Sequence, residues 1–275
     1  MATWFVDQPQ RLTLDEEVRG LDVWLAHGKL RVVGTDGPAR LEIKHVGAKG
    51  VTVSVENGLL SVRHTVKGNW WRWAGPLWWL TGGWLSGGRR AYSADVIIAV
   101  PPQSRGSLTV VDGDVVASGL REGVTVDVTS GSIAVMGLGG SVRTKTVSGS
   151  IEAVGVSGDL VVETVSGEIS LASSSAERVQ ARTISGAVTC DLDNPFARDV
   201  RIDTVSGSIT IRVPTDADLD VNLSATAGRV SSAFPQLRVD RTPGANAATG
   251  RLGAGSGTLR AYAVSGSVAL LASPA

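Results

Sequence analysis

One short phrase recurs along this chain at a nearly constant spacing. Thr129-Ser130-Gly131-Ser132-Ile133 returns as Val147-Ser148-Gly149-Ser150-Ile151, and further copies begin at Val165, Ile184, Val205 and Val264. The step from one copy to the next is constant over the first three copies and slightly longer over the following two. A period of about 20 residues is typical of stacked structural repeats, so it constrains the fold more than composition does.

Weaker copies precede the clear ones and fill the gap before the last of them. They are His27-Gly28-Lys29-Leu30, Asp112-Gly113-Asp114-Val115 and Ala227-Gly228-Arg229-Val230. Together with the clear copies they predict about eight repeats, while residues 47–111 fit the pattern poorly. Within one repeat, short alternating runs rich in Val, Ile and Thr are separated by glycine-containing turns, which is typical of β-strands.

Equivalent positions in successive repeats distinguish stacked coils from consecutive hairpins. The third and fifth residues after each Ser of the phrase are mostly apolar, which indicates an inward-facing core. Three residues before that Ser, the charge alternates in sign through Asp127, Lys145, Glu163, Arg182 and Asp203. In-register coils about 4.8 Å apart place each of these charges beside an opposite one. The prediction is therefore an all-β fold, a β-solenoid (β-helix-like) of about eight coils with roughly 18–21 residues per coil.

The regularity of the repeat divides the chain into two regions. Residues 108–275 are predicted to form the β-solenoid repeat domain. Residues 1–107 are predicted to form an N-terminal β region that contains one divergent coil (27–46) and a Trp-rich insertion (68–88).

Charge and cysteine content exclude several functional classes. Lys plus Arg equals Asp plus Glu, at 26 each, so no overall basic field attracts nucleic acid. The one cysteine, Cys190, falls in an apolar column and is predicted to be a core residue. Residues 1–19 include several acidic side chains and lack the pattern of a signal peptide, which favours a cytoplasmic location.

The Trp-rich insertion, GNWWRWAGPLWWLTGGWLSGG, breaks every pattern above. It contains six of the eight tryptophans, and basic residues flank or interrupt it, while no acidic residue occurs from 57 to 94. It is too short and too interrupted to span a bilayer. Three interpretations remain open. The segment is a cap that seals the solenoid, an interfacial membrane anchor, or an interface with a partner or a second copy. The candidate binding residues are Trp70, Trp71, Arg72, Trp73, Trp78, Trp79, Trp84, Arg89 and Arg90.

Residues with catalytic potential are few. His27, His45 and His64 lack the spacing of known metal motifs, although the step from His27 to His45 equals one repeat and predicts that they stack in adjacent coils. Asp112-Gly113-Asp114 is interpreted as a turn rather than a calcium loop. Asp216, Asp218 and Asp220 alternate and are predicted to share one solvated strand face. We therefore expect no enzyme activity, no catalytic residues, no metal, no cofactor and no small-molecule substrate.

The V-S-G-S-I unit with its following G-x-x-G turn resembles a bacterial family of β-strand-repeat proteins named as "putative adhesin" (domain of unknown function 4097). The resemblance covers residues 27–46 and about 108–270. It implies a β-solenoid-like domain, with some relatives linked to cell-envelope stress, and it supplies no catalytic residues. The Trp-rich insertion is not part of the family's repeat.

These observations lead to one hypothesis and one alternative. The hypothesis is a non-enzymatic scaffold or binding protein, cytoplasmic at the inner face of the membrane, that docks on a membrane surface or an envelope-associated partner through the insertion. The alternative is a homo-oligomeric or adhesin-like scaffold in which the insertion is only a cap.

Overall fold

The computed structural model describes residues 2–14, 16–64, 91–192, 199–242 and 245–273, and strands dominate them. The N-terminal strands are β1 (Ala2–Val6), β2 (Gln10–Thr13), β3 (Gly20–Gly34), β4 (Arg40–Val46), β5 (Val51–Glu56), β6 (Leu59–His64) and β7 (Ser93–Val100). The all-β solenoid predicted from the repeat is confirmed.

The repeats build each coil from a long strand, a Ser-Gly corner, a short strand and a turn. The strands that follow this plan are β8 (Arg105–Asp112), β9 (Val115–Ser118), β10 (Val124–Ser130), β11 (Ile133–Met136), β12 (Ser141–Ser148), β13 (Ile151–Val154), β14 (Asp159–Ser166), β15 (Ile169–Ser174), β16 (Arg178–Ser185), β17 (Val188–Leu192), β18 (Asp199–Ser206) and β19 (Ile209–Pro214). Long strands pair with long strands and short with short, always in parallel. The predicted charge column is in register, for example Lys145 opposite Glu163 and Arg182 opposite Asp203.

The remaining strands complete the C-terminal end. They are β20 (Leu219–Ala227), β21 (Val230–Ser232), β22 (Arg238–Thr242), β23 (Ala245–Leu252), β24 (Gly257–Ser265) and β25 (Val268–Ser273). Here the stacking order departs from the chain order, because β24 inserts between β18 and β20. The stacking order also departs from the chain order at the N-terminal end, because β3 pairs with β6 and β7 on one side and with β8 and β9 on the other.

Antiparallel strands cover both ends of the stack. At the N-terminal end, β4 pairs with β7 and β5 with β6, and β2 and β1 then pair with β4 and β5. At the C-terminal end, β23 covers β20 and β22 covers β23. Reversed strands of this kind end the parallel stack and limit its exposed edge, which otherwise templates aggregation.

The two apolar columns of the repeat form one continuous core. Ile133, Ile151 and Ile169 are fully buried, and so are the residues two positions after each of them. Cys190 is buried as predicted, and burial raises the pKa of its thiol to about 12, with Asp191 adding to the shift. A thiol in that state is a packing group and not a nucleophile at neutral pH.

The glycine of the Ser-Gly corner is required by the close approach of neighbouring coils. A Cβ on Gly149 would lie 2.1 Å from the carbonyl oxygen of Gly131, and a Cβ on Gly131 would lie 2.1 Å from that of Gly113. Both corner glycines also have positive φ, +139° and +134°. The most visible feature of the sequence therefore serves the stacking of the backbone.

Candidate functional site

The Trp-rich insertion lies outside the described residues, and so do all nine candidate binding residues named above. The structure does describe the residues on either side of it, through 64 and from 91. Arg63, at the end of β6, pairs with Trp24 of β3, and Ser93, at the start of β7, pairs with His27 of the same strand. In β3, only Leu25 and Ala26 separate Trp24 from His27. In the β6–β7 coil, residues 64–92 separate the corresponding Arg63 from Ser93. The insertion therefore replaces one corner of the coil that lies under the N-terminal cap.

The residues that flank the insertion on its two sides lie in contact at this corner. The rings of His64 and Tyr92 are in edge-to-face contact, with their centroids 6.2 Å apart. The neighbouring β4–β5 turn fixes the returning end, since Gly47 N–H donates to Ser93 O at 2.7 Å and Lys49 N–H donates to Ala91 O at 2.9 Å. We call this corner, formed by His64 and residues 91–93, the root of the insertion.

His64 is a buried structural residue of the root. Its side chain is 4% exposed, and its Nδ1 accepts a hydrogen bond from Ala26 N–H at 3.2 Å. Burial lowers the pKa of His64 to about 4; a backbone hydrogen bond with Ser93 opposes the shift, and the charge of His27 adds to it. The imidazole is therefore neutral at neutral pH and holds the β6 end against β3.

The other two histidines also lie at the root, in a different arrangement from the one predicted. His27 pairs in register with Ser93, and its Nδ1 lies 3.2 Å from an Asp112 carboxylate oxygen. His45 does not stack on His27 in an adjacent coil, because β4 runs antiparallel to β7 and places His45 opposite Asp95. Its Nε2 instead lies 3.2 Å from Ser93 Oγ. Among the described residues, no group of three or more His, Cys, Asp or Glu side chains is arranged to hold a metal ion.

Several basic side chains lie on one side of the root. A shallow groove of about 320 Å³ beside it is lined by Lys29, Arg31 and Lys44, and exposed Lys49 follows on the β4–β5 turn. Two acidic residues, Asp95 and Asp114, also line the groove. Asp95 accepts from Lys29 N–H at 3.1 Å, and Asp114 accepts from both the N–H and the hydroxyl of Ser132. Both carboxylates therefore accept hydrogen bonds from other groups of the fold.

Two acidic motifs from the sequence have structural roles. Asp112-Gly113-Asp114 forms the corner between β8 and β9, as predicted, and the hydrogen bonds from Ser132 hold the pKa of Asp114 below its usual range. The prediction that Asp216, Asp218 and Asp220 share one strand face is wrong, because β20 begins only at Leu219. Asp218 instead accepts hydrogen bonds from Gly255 N–H and from the N–H and hydroxyl of Ser256, which lower its pKa.

The family model for Toastrack DUF4097 matches residues 32–271. The chain belongs to the Toastrack DUF4097 family. Several solved structures resemble it, and no curated protein matches it. A structure from Bacteroides fragilis, named as a "putative adhesin", is 14% identical, has a TM-score of 0.52 and covers 96% of this chain and 98% of its own. A "putative lipid binding protein" from Parabacteroides distasonis is 12% identical, with a TM-score of 0.43 and coverages of 96% and 97%.

At these identities the likeness concerns the fold alone. The repeat that runs through the matched residues contains the Ser-Gly corners, the charge column and the core. Within the described residues, no helix is long and apolar enough to cross a membrane. The sequence identified the insertion as exceptional but gave no signal for its root, because His64 and Tyr92 lie at opposite ends of the insertion and meet only through pairing with β3.

Proposed function

We propose that this Toastrack protein is a non-enzymatic scaffold that docks on an anionic membrane surface, or on a protein embedded in it, through the Trp-rich insertion. The observation that carries the proposal is the position of the insertion. It is joined to the stack at one corner of the β6–β7 coil, where the flanking residues His64 and Tyr92 are in contact.

The composition of the segment fits an interfacial anchor. Tryptophan favours the headgroup region of a bilayer, and basic residues are attracted to anionic lipid. Arg72, Arg89 and Arg90 lie within or beside the segment. Lys44 and Lys49, which are exposed near the root, extend this basic character onto the folded part of the protein.

The ends of the stack argue against the capping interpretation. A solenoid needs a cap because its last coil exposes core and strand edges. The antiparallel strands β4 and β5 cover the β6–β7 coil, and β23 covers β20 at the other end. Six tryptophans are therefore not required for this purpose.

The described polar residues support a binding role rather than catalysis. The two buried histidines take part in contacts within the fold, and so do Asp112, Asp114 and Asp218. If the chain acts in the cytoplasm, the surface it meets is the inner leaflet, where anionic lipid is concentrated.

Substituting tryptophans tests the proposal directly. We expect Trp70→Ala combined with Trp71→Ala to weaken co-sedimentation with anionic vesicles by at least about tenfold, because each Trp side chain buries roughly 150–250 Å² when it inserts. The melting temperature should not change. Phe5→Ala is the matched control, since Phe5 is an exposed aromatic residue outside the insertion. An unchanged vesicle affinity combined with a lower melting temperature would instead establish a structural role for the insertion.

A homo-oligomeric or adhesin-like scaffold is the second candidate function. The observation that favours it is a line of exposed aliphatic side chains along the described stack. The fold shared with the Bacteroides fragilis "putative adhesin" is compatible with it but does not establish it.

A further inference from the structure

A column of exposed aliphatic side chains follows the Ser-Gly corners of the stack. The residue immediately before the corner Ser is β-branched and apolar in five adjacent coils, and its side chain is between 36% and 53% exposed. The five coils stack in register, so their side chains form a straight ridge roughly 19 Å long at the usual strand spacing. We call this set the aliphatic ridge: Val147, Val165, Ile184, Val205 and Val264.

The fold does not require aliphatic side chains at this position. The coils on either side of the ridge carry Thr129 and Thr226 in the same column. A polar residue is therefore compatible with the same backbone and the same corner. Exposed aliphatic residues that fold stability does not explain, and that form one continuous line, indicate a contact surface.

A second column on the same face carries alternating charge. Two residues before the first four ridge positions lie Lys145, Glu163, Arg182 and Asp203, in stacking order, and Tyr262 lies two residues before the fifth. Over those four coils the ridge is therefore bordered by equal numbers of cations and anions. A bilayer is a poor partner for such a border, because anionic lipid repels Glu163 and Asp203.

We propose that the aliphatic ridge is a docking surface for a second copy of this chain, with the two solenoids side by side and antiparallel. A two-fold axis parallel to the strands places ridge against ridge and charge column against charge column, with the coil order reversed. If the axis passes between the coils of Glu163 and Arg182, Lys145 faces Asp203 of the other copy and Glu163 faces its Arg182.

The alternating charges also select the register of this contact. If the axis instead passes through the coil of Glu163, half a coil spacing away, Glu163 faces Glu163 of the other copy and Lys145 faces its Arg182. Like charges then oppose each other along the whole contact, which is unfavourable. The favourable axis position brings Val165 against Ile184, so the apolar and the electrostatic matches occur together. The residues of this contact all belong to the repeat stack, and none belongs to the insertion.

Sedimentation velocity of the full chain over a range of concentrations tests the proposal. We expect a monomer–dimer equilibrium, and Ile184→Glu should raise its dissociation constant by an order of magnitude or more, because a charge is then buried in the contact. Met136→Glu is the matched control, since Met136 is 44% exposed but lies on a short strand outside the ridge. Circular dichroism should show that both variants keep the fold.

Charge reversal adds a second, independent readout. Glu163→Lys and Arg182→Glu should each weaken the dimer, and the two together should restore it, because the cross-copy pair is regenerated with its signs exchanged. A chain that stays monomeric throughout would overturn the proposal. So would a dimer that Ile184→Glu leaves intact, or a loss of vesicle binding rather than dimer in the ridge variants. A dimer lost on deletion of residues 69–87 would overturn it as well, because association would then belong to the insertion.

Discussion

Gly149→Ala is expected to destabilise the repeat stack severely. The new methyl group would lie 2.1 Å from the carbonyl oxygen of Gly131, and this oxygen belongs to the backbone of the adjacent coil. Relief requires the two coils to separate, which breaks parallel hydrogen bonds on both sides of the corner. Gly149 also has a φ of +139°, which L side chains rarely adopt. We expect a loss above about 4 kcal/mol, which is a large part of the stability of a typical domain.

Gly137→Ala is the matched control for this prediction. Gly137 also has positive φ, +58°, but a Cβ there meets no atom within 4 Å. The loss of stability in Gly137→Ala should come only from the left-handed backbone conformation, which costs about 1–2 kcal/mol. Far-UV circular dichroism and the melting temperature of the two purified variants provide the comparison. Equal stability of the two would show that coil contact does not explain the Ser-Gly repeat.

The second large effect is a loss of stability at mildly acidic pH that originates from His64. Burial depresses the pKa of His64 in the folded protein from 6.5 to about 4. Between these values the unfolded chain binds a proton that the folded chain does not, so stability falls as pH falls. This contribution to stability is fully present above pH 6.5, declines as pH falls from 6.5 to about 4, and totals about 3 kcal/mol.

His64→Asn isolates this contribution. The Asn side-chain oxygen can accept from Ala26 N–H as the imidazole Nδ1 does, but it does not titrate. Denaturant unfolding at pH 7 and at about pH 4.5 should show a smaller difference in this variant than in the parent chain. His45→Asn changes an exposed histidine, so the difference in unfolding free energy between the two pH values should match that of the parent chain. If His64→Asn keeps the full pH dependence, the titrating group lies elsewhere.

The regular part of the fold was predictable because its stacking interactions repeat in the sequence. The inward columns, the charge column and the corner glycines all recur with the period of one coil. The ends were not predictable, because β3 and β24 insert between strands that are distant in sequence. His45 illustrates the consequence: its spacing from His27 matches the period by coincidence, since β4 is a reversed cap strand.

The candidate sites were also predictable only in part. The Trp-rich insertion was evident from composition, and its position at a single corner required the pairing of β6 and β7 with β3. The aliphatic ridge was present in most copies of the repeat phrase as Val or Ile before the Ser. These residues were assigned no role from the sequence, because an alternating strand pattern does not reveal that the last apolar position before a corner faces outward.

Vesicle flotation of the intact chain and of a variant that lacks residues 69–87 tests the central claim most directly. The deletion should be tolerated, because His64 and Tyr92 already hold the two ends of the insertion together. We predict that the intact chain floats with anionic vesicles at low salt, floats less at high salt and with neutral vesicles, and that the folded deletion variant does not float. Flotation of the deletion variant equal to that of the intact chain, or no flotation of either, would contradict membrane docking through the insertion.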